Sequence, residues 1–293
     1  MARLAGSNSP SVDGGQGGVV RPVLFTVGGL AIPSHQVFVA LGLATGLCIF
    51  LRETQRRGRW DERLFPVLAG IVIGGAIGAR TSSLLDQVNE HGLSALGTVW
   101  LYGGRTILGG LSGAYVGGLL GKKLSGYPYR TGDLFAPAVA LGLAVGRIGC
   151  FLSEAPGRPT SLPWGIRVDP VTTAGIPNCP GCAQGLAMHP SMLYEITFLL
   201  IAYVLIVRYG SRITAPGEVF VLFLSSYAIF RFFIEFTRAN PTNSLGLTGS
   251  QMFLLAVSPL LLWRLRQGAQ RGVYRDLFTS GRTREDDHEL ATT

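Results

Sequence analysis

The stretch at residues 140–150, ALGLAVGRIGC, decides the fold class, because Arg147 stands there among residues that are otherwise apolar or glycine. An arginine at the bilayer centre costs about 2.5–3.5 kcal/mol on insertion scales, so it normally faces a protein interior, a wet cavity or an anion. Three further segments have the same character: residues 74–85 (GGAIGARTSSLL) contain Arg80, residues 101–110 (LYGGRTILGG) contain Arg105, and residues 225–236 (SSYAIFRFFIEF) contain Arg231. The four arginines predict a membrane protein with a functional site for an anion.

Composition supports the same class. Of 293 residues, 47% are apolar and 14% are charged, against roughly 25% charged residues in a typical soluble domain. A membrane-spanning helix needs about 20 mostly apolar residues. Seven stretches qualify, near residues 35–51, 65–85, 102–121, 133–152, 191–207, 217–236 and 249–265. We therefore predict an all-α integral membrane protein with about seven transmembrane helices.

The two ends of the chain are predicted to be tails around one membrane domain. Residues 1–30 have no apolar core of 7–15 residues directly after a basic start, so they are interpreted as a flexible tail and not as a cleavable signal peptide. Residues 268–293 are polar and charged, which is typical of disorder. One membrane domain is predicted at residues 31–267, with a long outer loop at residues 153–188.

The distribution of arginine and lysine predicts the orientation, because cytoplasmic loops retain positive charge. Basic residues follow the first, third, fifth and seventh spans, whereas residues 86–101 contain none except His91. The N-terminus is therefore expected outside and the C-terminus in the cytoplasm. The net charge of +8 is explained by this topology and by attraction to anionic membrane lipids, so no nucleic-acid partner is predicted.

This topology places all four arginines in the outer half of the membrane. The guanidinium group presents a fixed fork of donors that suits a phosphate oxyanion. The alternative interpretation is that some of the arginines extend to the outer interface, and it applies most directly to Arg80 and Arg105.

Glycine predicts close packing between helices. Small residues at every fourth position form a ridge that allows another helix to approach. Such spacing occurs in the second, third and fourth spans, at Gly74 and Gly78, at Gly109, Gly113, Gly117 and Gly121, and at Gly142 and Gly146.

The cysteines indicate an oxidising outer compartment. Cys179 and Cys182 lie in the outer loop, where a local disulfide is expected. A zinc site at this pair would need a second pair of ligands, which the sequence does not show, and no metal or cofactor is predicted. Cys48 and Cys150 are interpreted as small buried residues.

Several motifs in fixed order resemble the prolipoprotein diacylglyceryl transferase family. They are Gly146-Arg147-Ile148-Gly149, Gly157-Arg158, His189-Pro190-Ser191 with Leu193-Tyr194-Glu195, and Tyr227 with Arg231, Glu235, Arg238 and Gln251. The resemblance covers residues from about 30 to about 265. It implies a seven-span enzyme of the bacterial inner membrane. Such an enzyme transfers diacylglycerol from phosphatidylglycerol to the lipobox cysteine thiol of a prelipoprotein signal peptide and releases glycerol 1-phosphate.

The resemblance also implies the site residues. Arg147 and Arg231 would hold the lipid head group, and ion pairs among Glu154, Glu235 and Arg238 would organise the pocket. Glu235 would share one helix face with Arg231 and Arg238, although a simple salt-bridge ladder between helices is the alternative for Glu235. The predicted catalytic residues are Arg147, Arg231, Glu154 and His189. The predicted substrate-binding residues are Arg80, Arg105, Gly146, Gly149, Arg158, Tyr194, Glu235 and Arg238.

The chain departs from the family pattern at the proposed site. Leu108 stands where the family usually has a histidine, and Cys150 replaces an asparagine. The first span also lacks the family's usual tyrosine, because His35-Gln36-Val37-Phe38 occupies that place. His189 and Glu154 remain as candidate general bases, although His189 is equally suited to a helix-capping role. Two alternatives follow from these changes. One is a divergent paralogue that binds anionic lipid without this transfer, and the other is an anion transporter, which would show an inverted repeat that the sequence lacks.

Overall fold

The protein is a bundle of seven long helices across the residues that its structure, a computed structural model, describes: 21–91, 107–168 and 179–277. The helices are α1 (Ser34–Arg56), α2 (Leu64–His91), α3 (Ile107–Ser125), α4 (Gly132–Ser153), α5 (Ser191–Tyr209), α6 (Glu218–Ile234) and α7 (Gly249–Gln270). These positions agree with the seven predicted spans, and the all-α fold class is confirmed.

Among the described residues, five segments are long and apolar enough to cross a membrane by themselves. They are Ser34–Arg56, Leu64–Thr81, Gly132–Ser153, Ser191–Arg212 and Glu218–Thr237. The segment Gly132–Ser153 is the most enclosed, with half of its apolar window buried inside the bundle. Because α4 carries Arg147, that arginine is placed in the core of the protein.

The helices α2 and α3 pack backbone to backbone along a glycine seam, as the spacing predicts. A Cβ atom added at Gly113 would meet the carbonyl oxygen of Gly74 and would lie 2.8 Å from the Cα of Gly78. One and two turns further along, Gly117 and Gly121 face Gly70 and Pro66 in the same way. Only glycine permits this approach, so the seam fixes both the distance and the register of the two helices.

A second glycine contact joins α1 to α4 and positions the site. A Cβ at Gly42 would lie 3.0 Å from the amide nitrogen of Gly146. A Cβ at Gly149 would lie 2.8 Å from the Cβ of Phe38 and 3.1 Å from the Cα of His35. The first turn of α1 is therefore pressed against the last turn of α4.

A β-hairpin precedes α1 and was not predicted. Strands Val23–Val27 and Leu30–Pro33 pair antiparallel around Gly28 and Gly29, both of which have positive φ. The hairpin overlaps the segment predicted as a flexible tail, and residues 1–20 lie outside the described residues. The amide of Arg21 donates to the carbonyl of Leu152 at 2.7 Å, so the hairpin connects the start of α1 to the end of α4.

The opposite end of the bundle is held by basic residues and backbone carbonyls. Arg130 donates to the carbonyl of Pro216 at 3.2 Å, and Arg212 donates to the carbonyl of Leu277 at 3.3 Å. Arg264 pairs with the buried Glu218 at 3.5 Å, and the Tyr274 hydroxyl donates to the same carboxylate at 3.0 Å. This basic end agrees with the predicted cytoplasmic side. The described residues continue to 277, so Tyr274 and Leu277, which make two of these contacts, lie within the segment predicted as a polar tail.

Candidate functional site

Arg147 is buried in an ion pair that joins α4 to α5. Its Nη2 lies 2.7 Å from Oε1 of Glu195, and the side chains are 4% and 1% exposed. The Tyr227 hydroxyl of α6 donates to the same oxygen at 2.6 Å. Within the described part of the chain, Nε of Arg147 and Oε2 of Glu195 have no hydrogen-bond partner. The arginine is thus fixed in place and still has one buried donor available.

Glu235 is the centre of a second set of contacts, at the end of α6. Its fully buried carboxylate pairs with Arg231 and accepts hydrogen bonds from Asn240 at 2.8 Å and from Thr248 at 2.9 Å. Thr248 also forms a capping box at the start of α7, through reciprocal bonds with Gln251. The capping box orients the threonine hydroxyl, so the position of the Glu235 carboxylate depends on the start of α7.

Arg238 links the two sets of contacts. It lies 3.8 Å from Glu235 and 3.6 Å from Glu154, and its Nη1 lies 3.1 Å from Sδ of Met192. The Arg147 guanidinium contacts the same sulfur at 3.9 Å. We call Arg147, Glu154, Glu195, Arg231, Glu235 and Arg238 the arginine–glutamate cluster.

The prediction that Glu235 and Arg238 share one helix face with Arg231 is wrong in one respect. Helix α6 ends at Ile234, and Glu235–Thr237 form a 3-10 turn. Arg238 follows this turn with extended backbone, at φ −88 and ψ 151. Glu235 nevertheless contacts both arginines, because the tighter turn brings Arg238 back towards its carboxylate.

Electrostatics within the cluster are nearly balanced, since three arginines face three glutamates. Burial, together with the positive charges of Arg231 and Arg147, lowers the pKa of the Arg238 guanidinium below its ordinary value. Three closely placed cations of this kind are stabilised further by a bound anion.

The outer loop is fastened to the cluster through its backbone. The amide of Gly157 donates to the carbonyl of His189 at 2.7 Å, and the amide of Arg158 donates to the carbonyl of Thr237 at 2.7 Å. The Arg158 side chain donates to the carbonyl of Arg238 at 3.0 Å. Arg158 therefore holds the segment after α6 in place, and its own guanidinium is exposed.

His189 and Tyr194 meet at the edge of the loop. The Tyr194 hydroxyl accepts from Nε1 of Trp164 at 2.7 Å and lies 3.3 Å from Nδ1 of His189. The N-cap of α5 is Pro190, and it makes no side-chain cap bond. The imidazole thus contacts Tyr194, and the capping role considered for His189 is not observed. Cys179 and Cys182 of the same loop are joined by a disulfide, as expected from their compartment.

Three side chains meet at the entrance to the cluster: His35, Cys150 and Glu154. Nδ1 of His35 lies 3.7 Å from Sγ of Cys150 and 3.7 Å from Oε1 of Glu154. Cys150 is buried and also contacts Arg147 at 3.9 Å. The side chains of His35 and Glu154 are 45% and 39% exposed, so the cluster opens to solvent on this side.

The remaining predicted site residues have varied placements. Arg80 is half-buried in α2, and Gly146 and Gly149 contact α1 through their backbone. Arg105 lies outside the described residues. Leu108, the position of the family's usual histidine, lies in the first turn of α3.

Sequence reasoning missed several residues of the site. Glu195 and Tyr227 belong to the motifs, but the sequence assigns them no role. In the structure Glu195 pairs with Arg147, and Tyr227 donates a hydrogen bond to Glu195. Thr248 had a detectable signal, because threonine three residues before Gln251 is the spacing of a capping box. The sequence suggests only a structural role near the membrane surface for His35, since nothing in its local sequence indicates contact with residues 150 and 154.

The fold and this arrangement define the chain as a multi-pass α-helical membrane protein with a buried arginine–glutamate cluster at one end of its bundle. Residues 22–264 match the family model described as prolipoprotein diacylglyceryl transferase. The chain therefore belongs to the prolipoprotein diacylglyceryl transferase family.

Individual relatives agree with this assignment. A phosphatidylglycerol–prolipoprotein diacylglyceryl transferase of Bordetella bronchiseptica is 33% identical over 240 residues, which is 78% of this chain and 86% of the relative. The protein of the same name in Geobacter sulfurreducens is 32% identical, covering 78% and 85%. That of Clostridium tetani is 27% identical, covering 80% of this chain and 92% of the relative. The similarity extends over nearly the whole length of each relative.

Proposed function

We propose that this protein transfers diacylglycerol from phosphatidylglycerol to the lipobox cysteine thiol of prelipoproteins, with release of glycerol 1-phosphate. The observation that carries the proposal is the convergence of Arg147, Arg231 and Arg238 at one end of the bundle, next to the half-exposed Glu154. Family membership supports the reaction class, and the relatives' names state the donor lipid and the acceptor. The proposed location is the bacterial cytoplasmic membrane, with the cluster facing the outer side.

The donor's phosphate is proposed to bind the arginines. Nε of Arg147 is buried and has no hydrogen-bond partner among the described residues, so it is a ready donor for a phosphate oxygen. Arg238 is held more loosely, by contacts of 3.6 and 3.8 Å to carboxylates, and can exchange them for the lipid.

The acyl chains have an apolar path beside the cluster. A groove between α6 and α7 is lined by aromatic and aliphatic side chains, which include Phe232, Ile229 and Leu254. It lies close to the cluster, because Gln251 donates to the carbonyl of Phe232 at 3.2 Å and also belongs to the capping box that orients Thr248. A lipid bound with its phosphate at the arginines can thus place an acyl chain between these helices.

In the proposed reaction the acceptor thiolate attacks the glycerol carbon that bears the phosphate ester. A carbon–sulfur bond forms, the carbon–oxygen bond breaks, and its electron pair leaves on the phosphate oxygen. The arginines stabilise the charge that develops on that oxygen. The thiol proton needs an acceptor, and Glu154 is the carboxylate of the cluster that is open to solvent.

The test is transfer of labelled diacylglycerol from phosphatidylglycerol to a lipobox peptide by the purified protein. We expect label on the peptide, none on a peptide with serine in place of the cysteine, and a loss of at least about a hundredfold for Arg147→Ala, typical of removing one preorganised charge-stabilising donor. The matched control is Arg208→Ala, an exposed arginine at the far end of α5.

Absence of thiol-dependent transfer, with phosphatidylglycerol binding retained, would contradict the proposal. It would favour a divergent paralogue that binds anionic lipid, and Leu108→His would then be the first variant to assay for restored transfer.

A further inference from the structure

We propose that His35, Cys150 and Glu154 form a binding site for a divalent transition metal ion of the zinc class. One possible ligand atom from each residue lies within 4.8 Å of the other two, and these three residues are the group with this property in the described part of the chain. Thiolate, imidazole and carboxylate are the three ligand types that zinc uses in proteins.

The distances suit a tetrahedral ion. Zinc lies about 2.0–2.3 Å from its nitrogen, oxygen and sulfur ligands, so two ligands of one tetrahedral ion are roughly 3.3–3.8 Å apart. Nδ1 of His35 is 3.7 Å from Sγ of Cys150 and 3.7 Å from Oε1 of Glu154. The third pair, the Cys150 sulfur and a carboxylate oxygen of the half-exposed Glu154, lies within 4.8 Å.

The three residues are held in place by the backbone around them. Cys150 and Glu154 are one helical turn apart at the end of α4, where the Glu154 amide donates to the Cys150 carbonyl at 2.8 Å. His35 occupies the first turn of α1, which Gly149 allows to approach closely. A metal site on two packed helix ends is preorganised, so binding orders few side chains.

Two neighbouring arginines contact the proposed ligands. Arg238 contacts Oε2 of Glu154, which leaves Oε1 facing His35. A bond to the second carboxylate oxygen is typical of the outer contacts that orient a metal ligand. Arg147 lies 3.9 Å from Sγ of Cys150.

The site has a use in catalysis, and this step rests on the proposed function. Three protein ligands with a fourth position for water or substrate are typical of catalytic zinc sites. A bound ion would promote loss of the proton of an acceptor thiol at that position, and the proton would pass to water. His35, Cys150 and Glu154 would hold the ion, and the carbon–sulfur bond would form as the carbon–oxygen electron pair leaves on the phosphate oxygen. With Glu154 bound to the ion, the ion and not this carboxylate would promote loss of the thiol proton, in a chain that has Leu108 where the family usually has a histidine.

The binding test is titration of the full-length purified protein, stripped with a chelator, with Co²⁺ and then with Zn²⁺ in competition. We expect one equivalent of Co²⁺ with a sulfur-to-cobalt charge-transfer band, which Zn²⁺ abolishes. Cys48→Ser, which removes the other free cysteine, keeps the band, and Cys150→Ser loses it. His35→Ala alters a half-exposed side chain, retains the fold and weakens binding by at least about tenfold, as loss of even an outer contact does.

A wild-type protein without the band, or a Cys150→Ser protein that retains it, overturns the metal site. Transfer assayed with and without chelator separates this inference from the proposed function. Binding of Co²⁺ without any transfer keeps the site and refutes the transferase, whereas transfer that a chelator does not affect refutes the thiol-activating role of the ion.

Discussion

The Arg147–Glu195 pair allows stability and function to be separated by a double-mutant cycle. Removing one partner of a buried ion pair leaves an uncompensated charge and costs about 3–5 kcal/mol. The pair qualifies because its side chains are 4% and 1% exposed and its atoms are 2.7 Å apart. Glu195→Leu and Arg147→Met should each lower the free energy of unfolding by about that amount.

The double variant Arg147→Met/Glu195→Leu should lose far less unfolding free energy than the two single variants lose together. Apolar replacement of a buried pair is often neutral or stabilising, and the remaining cost is the Tyr227 hydroxyl, which loses its acceptor and costs about 1–3 kcal/mol. The two single changes together would cost about 6–10 kcal/mol. The expected coupling energy is therefore at least about 3 kcal/mol.

The assay is equilibrium unfolding in mixed micelles, followed by circular dichroism, with lipid transfer measured on the same samples. The double variant should regain most of the stability and none of the transfer, because the arginine that is proposed to bind phosphate is gone. Tyr227→Phe serves as the control for the hydrogen bond alone. If the two single effects add within about 0.5 kcal/mol, the residues are not coupled and the argument for a buried pair fails.

Three further predictions concern the fold around the site. Gly113→Ala forces α2 and α3 apart and should lower the free energy of unfolding by about 1–3 kcal/mol. Gly146→Ala, whose added Cβ meets nothing within 4 Å, should leave the free energy of unfolding unchanged or raise it. Equal losses of stability in the two variants would contradict the glycine seam. Thr248→Ala removes a helix cap and a bond to the cluster, and should cost about 0.5–2 kcal/mol with reduced lipid affinity; unchanged affinity would show that the cap does not position the carboxylate. Asp133→Asn weakens the two hydrogen bonds, of 2.8 and 3.1 Å, that backbone amides at the start of α6 donate to this carboxylate. It should lower the free energy of unfolding by about 1–3 kcal/mol without changing lipid affinity. A loss of lipid affinity without a loss of stability would show that Asp133 does not have this structural role.

Much of the fold was predictable because the bilayer imposes strong rules on sequence. The long apolar stretches located the helices, and the arginines and lysines of the loops distinguished the two ends of the bundle. Glycine at every fourth position predicted the α2–α3 seam. The hairpin was missed although it has a signal, since Gly28 and Gly29 lie between two apolar runs. That signal competed with the polar, glycine-rich residues before it, which suggested a tail.

The candidate site was predictable only in part. Arg147 and Arg231 were detectable because a charge in an apolar segment is costly. Their partners were not, since pairing depends on which helices are neighbours: Glu195 is 48 positions from Arg147, and His35 is 115 positions from Cys150. Residues at such separations meet through tertiary packing, which local periodicity does not encode.

The glycine seams have a consequence for how the protein adapts to its lipids. On each helix the glycines recur about one turn apart, and the backbone of the facing helix packs directly against each of them. Sliding α2 along α3 by less than a turn, about 5.4 Å, would drive Cα atoms into carbonyl oxygens. A change in bilayer thickness is therefore met by tilting the joined helices as one body. The relative heights of the helix ends, and with them the distances between side chains contributed by different helices, stay the same in thick and thin membranes.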